Sequence, residues 1–176
     1  MDVKDRRAAL LLLVDNLREA GSWAGRTHIQ KSVYLLKELH GVDLGYDFTL
    51  YKHGPYSFEL DAEIEALRLV EGLSYEITSS GYGPRYAVGQ AGRSLITASD
   101  LPPGHIAALK EVAQTVRALD VHWLECVSTV VWCGGARADG PSQDELAERV
   151  QGMKPHLSRN DIVAAWALLS RFRTAH

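Results

Sequence analysis

The chain has 176 residues, 46% of them hydrophobic and 23% charged, a composition typical of a globular protein that excludes a disordered or collagen-like chain. The longest apolar run, 8–14, is far shorter than the roughly 18 residues needed to cross a membrane. The net charge of −3 disfavours a protein that binds nucleic acid mainly through phosphate contacts. Two cysteines, Cys126 and Cys133, are too few for a secreted disulfide scaffold, so we expect a cytoplasmic protein.

The first predicted elements are two helices and a short strand. Hydrophobic spacing and terminal glycines predict helices over 4–20 and 28–40. Thr27, followed three residues later by Gln30, predicts a capping box at the start of the second helix. Alternating aromatic and β-branched residues over 47–52 predict the strand.

A third helix and a hairpin follow in the predicted order. Pro55 and Ser57 indicate the start of the helix, and Gly72 indicates its end. Strand-like runs at 73–79 and 85–88 flank the turn-rich segment Ser80–Pro84 and predict the hairpin. This order resembles a winged-helix arrangement, and 89–97 adds a helical turn.

The second half of the chain is predicted to be helical. The helices are expected at about 104–118, 121–133, 143–151 and 159–172. Ser142 with Glu145 predicts a capping box, and Ser158 predicts the cap of the last helix. The predicted fold class is therefore mainly α with a small β-hairpin (α+β). A winged-helix-like part, 1–98, packs on a C-terminal helical bundle, 99–176, as one domain.

Motifs for catalysis and for metal binding are absent from the sequence. It has no nucleophile elbow, phosphate-binding loop, dinucleotide fingerprint or His-Glu-x-x-His motif, so we expect neither an enzyme nor a cofactor. His122, Cys126 and Cys133 lie at helical spacing, but a structural zinc site requires four ligands. We interpret both cysteines as small buried side chains and expect no metal.

The predicted third helix carries an unusual density of acids. These are Glu59, Asp61, Glu63 and Glu65. Like charges four residues apart are mildly destabilising, which is consistent either with an ordinary solvated face or with a functional face that imitates a phosphate backbone. An aromatic group next to this helix offers anchoring contacts for a partner, and we assign that role to Tyr51, His53, Tyr56 and Phe58.

Two other functions remain open at this point. A winged-helix transcriptional regulator would contact DNA through basic residues, for which the candidates are Arg26, Lys31, Lys37 and Arg85. An oligomeric scaffold would instead pair its C-terminal helices, including Trp166 and Phe172, with a second copy.

Two strings carry a resemblance to a known family. They are GRTHIQKSVYLLK at 25–37 and YDFTLYKHGPYSFEL at 46–60. The pattern resembles the YwgA-like family of bacterial proteins and, more distantly, Panacea-type antitoxin domains. Within this group it is most similar to the C-terminal domain of DarG-type antitoxins, with a match that covers about residues 1–100.

That resemblance implies a partner protein. DarT toxins ADP-ribosylate single-stranded DNA, and DarG antitoxins join a macrodomain to a C-terminal domain that binds and blocks the toxin. By this likeness the chain is expected to be the inhibitory part alone and to occupy the DNA groove of a DarT-type toxin. The acidic third helix is the surface to which we assign DNA mimicry, and no membrane is expected to take part.

Overall fold

The computed structural model describes residues 1–77 and 83–170. Within these ranges it contains eight helices and four short strands. The helices are α1 (Val3–Glu19), α2 (Arg26–His40), α3 (Phe58–Leu69), α4 (Gln90–Thr97), α5 (Pro103–Val116), α6 (Val121–Trp132), α7 (Gln143–Met153) and α8 (Arg159–Leu168). The strands are β1 (Thr49–Tyr51), β2 (Gly54–Tyr56), β3 (Leu73–Glu76) and β4 (Arg85–Val88). The predicted mainly helical α+β class is confirmed.

The strands form two separate antiparallel pairs. In the β3–β4 pair Leu73 lies opposite Val88, which confirms the predicted hairpin. The β1–β2 pair, in which Leu50 lies opposite Pro55, was not predicted. Pro55 is therefore part of a strand and does not start the third helix. A two-stranded ribbon tolerates proline because edge positions need no donated N–H.

The core joins the two halves of the chain. Leu10, Leu13 and Leu17 of α1 are fully buried, and α5 packs against both α1 and α2. Helix α6 packs against α2 and α8. The segments predicted as 1–98 and 99–176 therefore share buried contacts. None of the described helices is long and apolar enough to cross a membrane.

Of the three predicted helix caps, two are confirmed and one is wrong, and the predicted helix start at Ser57 is a cap as well. Ser57 accepts from the N–H of Leu60 and caps α3, Ser158 caps α8, and Ser142 forms the expected capping box in α7. The box predicted for Thr27 and Gln30 does not form, because α2 begins at Arg26 after Gly25, which offers no side chain.

Parts of three predictions lie outside the described residues. These parts are the end of the first hairpin strand at 78–79, most of the linker that follows it, and 171–172 of the last helix, with Phe172. Nothing in the structure bears on them.

Candidate functional site

The β1–β2 hairpin sits directly on α6. Gly54 begins β2 at a φ of +83°, in the left-handed region that favours glycine. A Cβ at this position would lie 3.0 Å from Thr129 Oγ1 and 3.1 Å from Ser128 Oγ. The glycine thus permits both the turn and the close approach of the hairpin to α6.

Two lysines hold the hairpin through its backbone carbonyls. Lys31 on α2 donates from Nζ to Pro55 O at 2.6 Å. Lys154, just after α7, donates to Tyr51 O and to Lys52 O, each at 2.5 Å. Both lysines are buried. The hairpin is therefore fixed from two sides by groups that are distant from it in sequence.

A buried carboxylate lies among these lysines. Glu125 on α6 is 4% exposed, and its Oε1 lies 3.5 Å from Lys154 Nζ and 3.2 Å from His156 Nε2. Its Oε2 lies 3.4 Å from His53 Nδ1. Burial lowers the pKa of Lys31 to about 8, the Glu125 charge opposes this shift, and Lys154 adds to it.

The hairpin and the start of α3 present three aromatic rings in mutual contact. We define this aromatic cluster as Tyr51, Tyr56 and Phe58. The Phe58 ring centroid lies 5.5 Å from that of Tyr51 and 5.1 Å from that of Tyr56, both in edge-to-face geometry. Tyr51 is 46% exposed and Phe58 is 59% exposed, so the structure places large apolar rings at the surface. Exposed clusters of this kind are typical of binding sites.

Most of the acids on α3 are paired with arginines. Asp61 lies 2.6 Å from Arg26 Nη1, and Glu65 also pairs with Arg26. Glu63 lies 2.5 Å from Arg7 Nε. Since these arginines compensate the charge, the α3 face is not a row of free carboxylates.

The remaining members of this face differ in their surroundings. Glu59 is exposed and forms none of the described ion pairs. Glu65 also pairs with Arg68. Burial and a hydrogen bond to Asp61 raise the pKa of Tyr56 to about 12, so its phenol stays protonated and donates to that carboxylate.

The four basic residues proposed for DNA contact do not share an open surface. Lys31 is only 2% exposed and cannot lie on a face that contacts a duplex. Arg26 is engaged by two carboxylates, and Lys37 Nζ lies 2.9 Å from Asp43. Arg85 lies over the Trp23 ring, 5.1 Å from its centroid. The assignment of Lys31 to a DNA contact is therefore wrong, because its side chain is buried and cannot reach the surface of a duplex.

The cysteines are buried and unbridged, as predicted. Burial raises the pKa of the Cys126 thiol to about 12. His122 Nε2 lies 3.4 Å from Asp161 Oδ2. Across residues 1–77 and 83–170, no group of three or more histidine, cysteine, aspartate or glutamate side chains is placed to hold a metal ion.

The largest cavity described lies away from the hairpin. It has a volume of about 800 Å³ and is lined by residues that include Tyr34, Trp132, Arg149, Glu38 and Asp139. Charges of both signs line it, so its electrostatics do not indicate one class of ligand.

Sequence reasoning missed the groups that support the site. Gln30, Glu125, Lys154 and His156 were not among the predicted site residues. Gln30 and Lys31 lie in the continuously buried stretch 28–36 of α2, and buried polar side chains must find partners. That pattern was the available signal, although it does not reveal which backbone groups are bound.

In comparisons with known proteins, neither a family model nor a curated protein matches the chain.

Proposed function

We propose that this chain is a non-enzymatic antitoxin domain that binds and inhibits a DNA-modifying ADP-ribosyltransferase toxin of the DarT type by direct contact. The exposed aromatic cluster carries the proposal, because it gives a surface suited to a protein partner on a firmly held hairpin. The resemblance of 25–37 and 46–60 to DarG-type antitoxins supplies the partner. The proposal includes a winged-helix-like arrangement of 1–98 and action in the cytoplasm.

The aromatic cluster has the physical properties of a binding hot spot. Tyrosine and phenylalanine bury a large area on binding and lose little conformational entropy, since each has few rotatable bonds. The Tyr56 phenol and the Phe58 ring restrict each other through their edge-to-face contact. Lys154 and Lys31 fix the backbone beneath them. Such preorganisation lowers the entropic cost of binding.

Charge supplies a smaller part of the proposed affinity. Arg7, Arg26 and Arg68 compensate the acids of α3, so we assign mimicry of a DNA backbone mainly to Glu59 and to the partly exposed edges of Asp61 and Glu65. A basic groove on the toxin would be attracted by these groups. Exposed charges act chiefly on the association rate and on its salt dependence.

The test is a binding titration of this protein against a DarT-type toxin by calorimetry, with inhibition of DNA modification measured in parallel. We expect Phe58→Ala and Tyr51→Ala each to weaken binding by about tenfold or more. Leu69→Ala is the matched control, because Leu69 is an 87% exposed apolar residue at the other end of α3. It should leave binding unchanged.

Two outcomes would contradict the proposal. One is equal binding by the wild type and both aromatic variants, with thermal unfolding confirming that all of them are folded. The other is the absence of toxin binding together with salt-sensitive binding of duplex DNA, which would favour the winged-helix regulator.

A further inference from the structure

A small pocket lies between the first turns of α2 and the β1–β2 turn. Its volume is about 190 Å³. Pockets for drug-sized ligands usually measure about 300–1,000 Å³, so this one suits a compact chemical group. The residues that matter for its chemistry are Arg26, Thr27, Lys31, Tyr51, Lys52 and His53.

The pocket lining is electropositive. Three of its side chains, Arg26, Lys31 and Lys52, are cationic, and none of the described lining residues is acidic. Arg26 pairs with two carboxylates outside the lining, so its charge is compensated. Lys52 is exposed and forms none of the described ion pairs. Lys52 therefore leaves the lining with a positive charge that no described carboxylate compensates, and this charge favours an anion.

Lys31 has unused donor capacity in this pocket. An ammonium group can donate three hydrogen bonds, and Pro55 O accepts one from Lys31 at 2.6 Å. The residue is 2% exposed, so water does little to solvate its charge. Glu125 attracts this charge and Lys154 repels it. An anion in the pocket would accept a further hydrogen bond from Lys31, in addition to the one that Pro55 O accepts.

The start of α2 also favours the binding of an anion. Arg26 and Thr27 belong to its first turn, and Gly25 provides no side-chain cap for the N–H groups of that turn. The first turn also lacks an acidic residue. Backbone N–H groups and the helix dipole at such an end favour a negatively charged ligand.

We infer that this pocket binds the phosphate group of a small ligand, either inorganic phosphate or a phosphomonoester of the nucleoside monophosphate class. Lys31, Lys52 and the first turn of α2 would contact the phosphate oxygens. The rings of Tyr51 and Tyr56 line the same pocket and would contact whatever group the phosphate carries. This inference does not depend on a toxin partner, although the two sites share residues.

The test titrates the 176-residue chain with phosphate and with adenosine monophosphate at constant ionic strength, using calorimetry and amide chemical-shift mapping. We expect saturable binding of at least one ligand, with shifts at 26–31 and 51–56. Tighter binding of the nucleotide would indicate that the tyrosines contact the base, and equal binding would indicate recognition of phosphate alone. Absence of saturable binding of both ligands would overturn the inference.

Variants locate the binding to this pocket. We expect Lys31→Met and Lys52→Gln each to weaken binding by about tenfold, since each substitution removes a charged hydrogen-bond donor to the phosphate. Lys37→Gln is the control, because Lys37 lies on the same helix, outside the pocket lining, and pairs with Asp43. If Lys37→Gln weakens binding as much as Lys52→Gln, the binding is nonspecific and the inference is wrong.

A pH series tests the role of Lys31 even if Lys31→Met fails to fold. The affinity for adenosine monophosphate should fall as pH rises through about 8, where burial places the Lys31 pKa. The charged groups that influence Lys31 are Glu125 on α6 and Lys154 after α7. A phosphomonoester is already doubly ionised above pH 7, so its own charge does not change in this range. Affinity that stays constant from pH 7 to 9.5 would contradict a role for Lys31.

Discussion

Gln30 and Ser57 are joined by two hydrogen bonds between a side chain and a backbone. The Gln30 amide donates to Ser57 O at 2.8 Å, and its carbonyl oxygen accepts from Ser57 N at 2.9 Å. Both residues are buried. Because Ser57 also caps α3, this pair sets the position of α3 relative to α2 and thereby the place of the aromatic cluster.

We predict that Gln30→Met lowers the free energy of unfolding by about 2–4 kcal/mol, since two buried backbone groups lose their partners. Urea unfolding measures the change. The control is Gln114→Met on the exposed face of α5, which should leave the midpoint within error. Equal midpoints for the two variants would show that the Gln30 bonds contribute nothing.

A second prediction concerns Gly54 and the stability of the hairpin. Gly54→Ala should destabilise the protein by about 2–4 kcal/mol, because it combines an unfavourable positive φ with a close approach to Thr129 and Ser128. Gly104→Ala is the matched control, because an added Cβ there meets nothing within 4 Å. Thermal unfolding of both variants measures the difference, and similar midpoints would contradict this account.

Features that depend on residues close together in the sequence could be predicted, and features that depend on distant residues could not. Caps such as Ser142 and Ser158 bond to residues three positions away, so local patterns identified them. The Thr27 box does not form because α2 begins at Arg26, ahead of Thr27, and Gln30, its expected partner, bonds to Ser57. A local pattern cannot reveal a competing partner 27 residues away.

The candidate site shows the same limit. The sequence identified the aromatic and acidic residues near 51–65 but not their exposure or their charge compensation. Glu63 is neutralised by Arg7 from α1, 56 positions earlier, and nothing in the spacing of the acids indicates this contact. The position of α1 relative to α3 results from core packing, which sequence periodicity does not specify.

The ion pair between Lys154 and Glu125 gives a third prediction. Lys154→Met should cost about 3–5 kcal/mol, because it leaves a buried carboxylate poorly compensated and removes the donor to two hairpin carbonyls. The double variant with Glu125→Gln should cost less than the sum of the single changes. A double-mutant cycle in urea measures this coupling. Lys110→Met, at an exposed position of α5, serves as the control.

The buried amine of Lys31 predicts a pH effect on stability. Its pKa is lowered from 10.5 in the unfolded chain to about 8 in the fold. Between these values the unfolded state binds more protons, so the Lys31 contribution to stability increases with pH and levels off above 10.5. The slope is at most about 1.4 kcal/mol per pH unit. The difference between wild type and Lys31→Met isolates this slope, and a constant difference from pH 7 to 10.5 would refute it.

Charge-reversal variants on α3 should affect stability differently at Glu59, which forms none of the described ion pairs, and at Asp61, which pairs with Arg26. Glu59→Lys should change stability by less than about 1 kcal/mol, because Glu59 is exposed near the helix start and contributes through the helix dipole. Asp61→Lys should cost more, about 1–2 kcal/mol, since it places a cation beside Arg26. Thermal unfolding at low and high salt tests both variants. A larger loss for Glu59→Lys would reverse this assignment.

The hydrogen bonds from Lys154 to the hairpin also determine when the aromatic cluster becomes ordered during folding. The amine that holds Tyr51 O lies 103 positions further along the chain. During synthesis the hairpin therefore emerges well before the residue that fixes it, and its backbone remains loosely held until α7 has docked. Proteolytic removal of the chain beyond α6 would leave the hairpin without Lys154. The aromatic cluster is thus fully ordered only in a chain whose last third has folded onto the first.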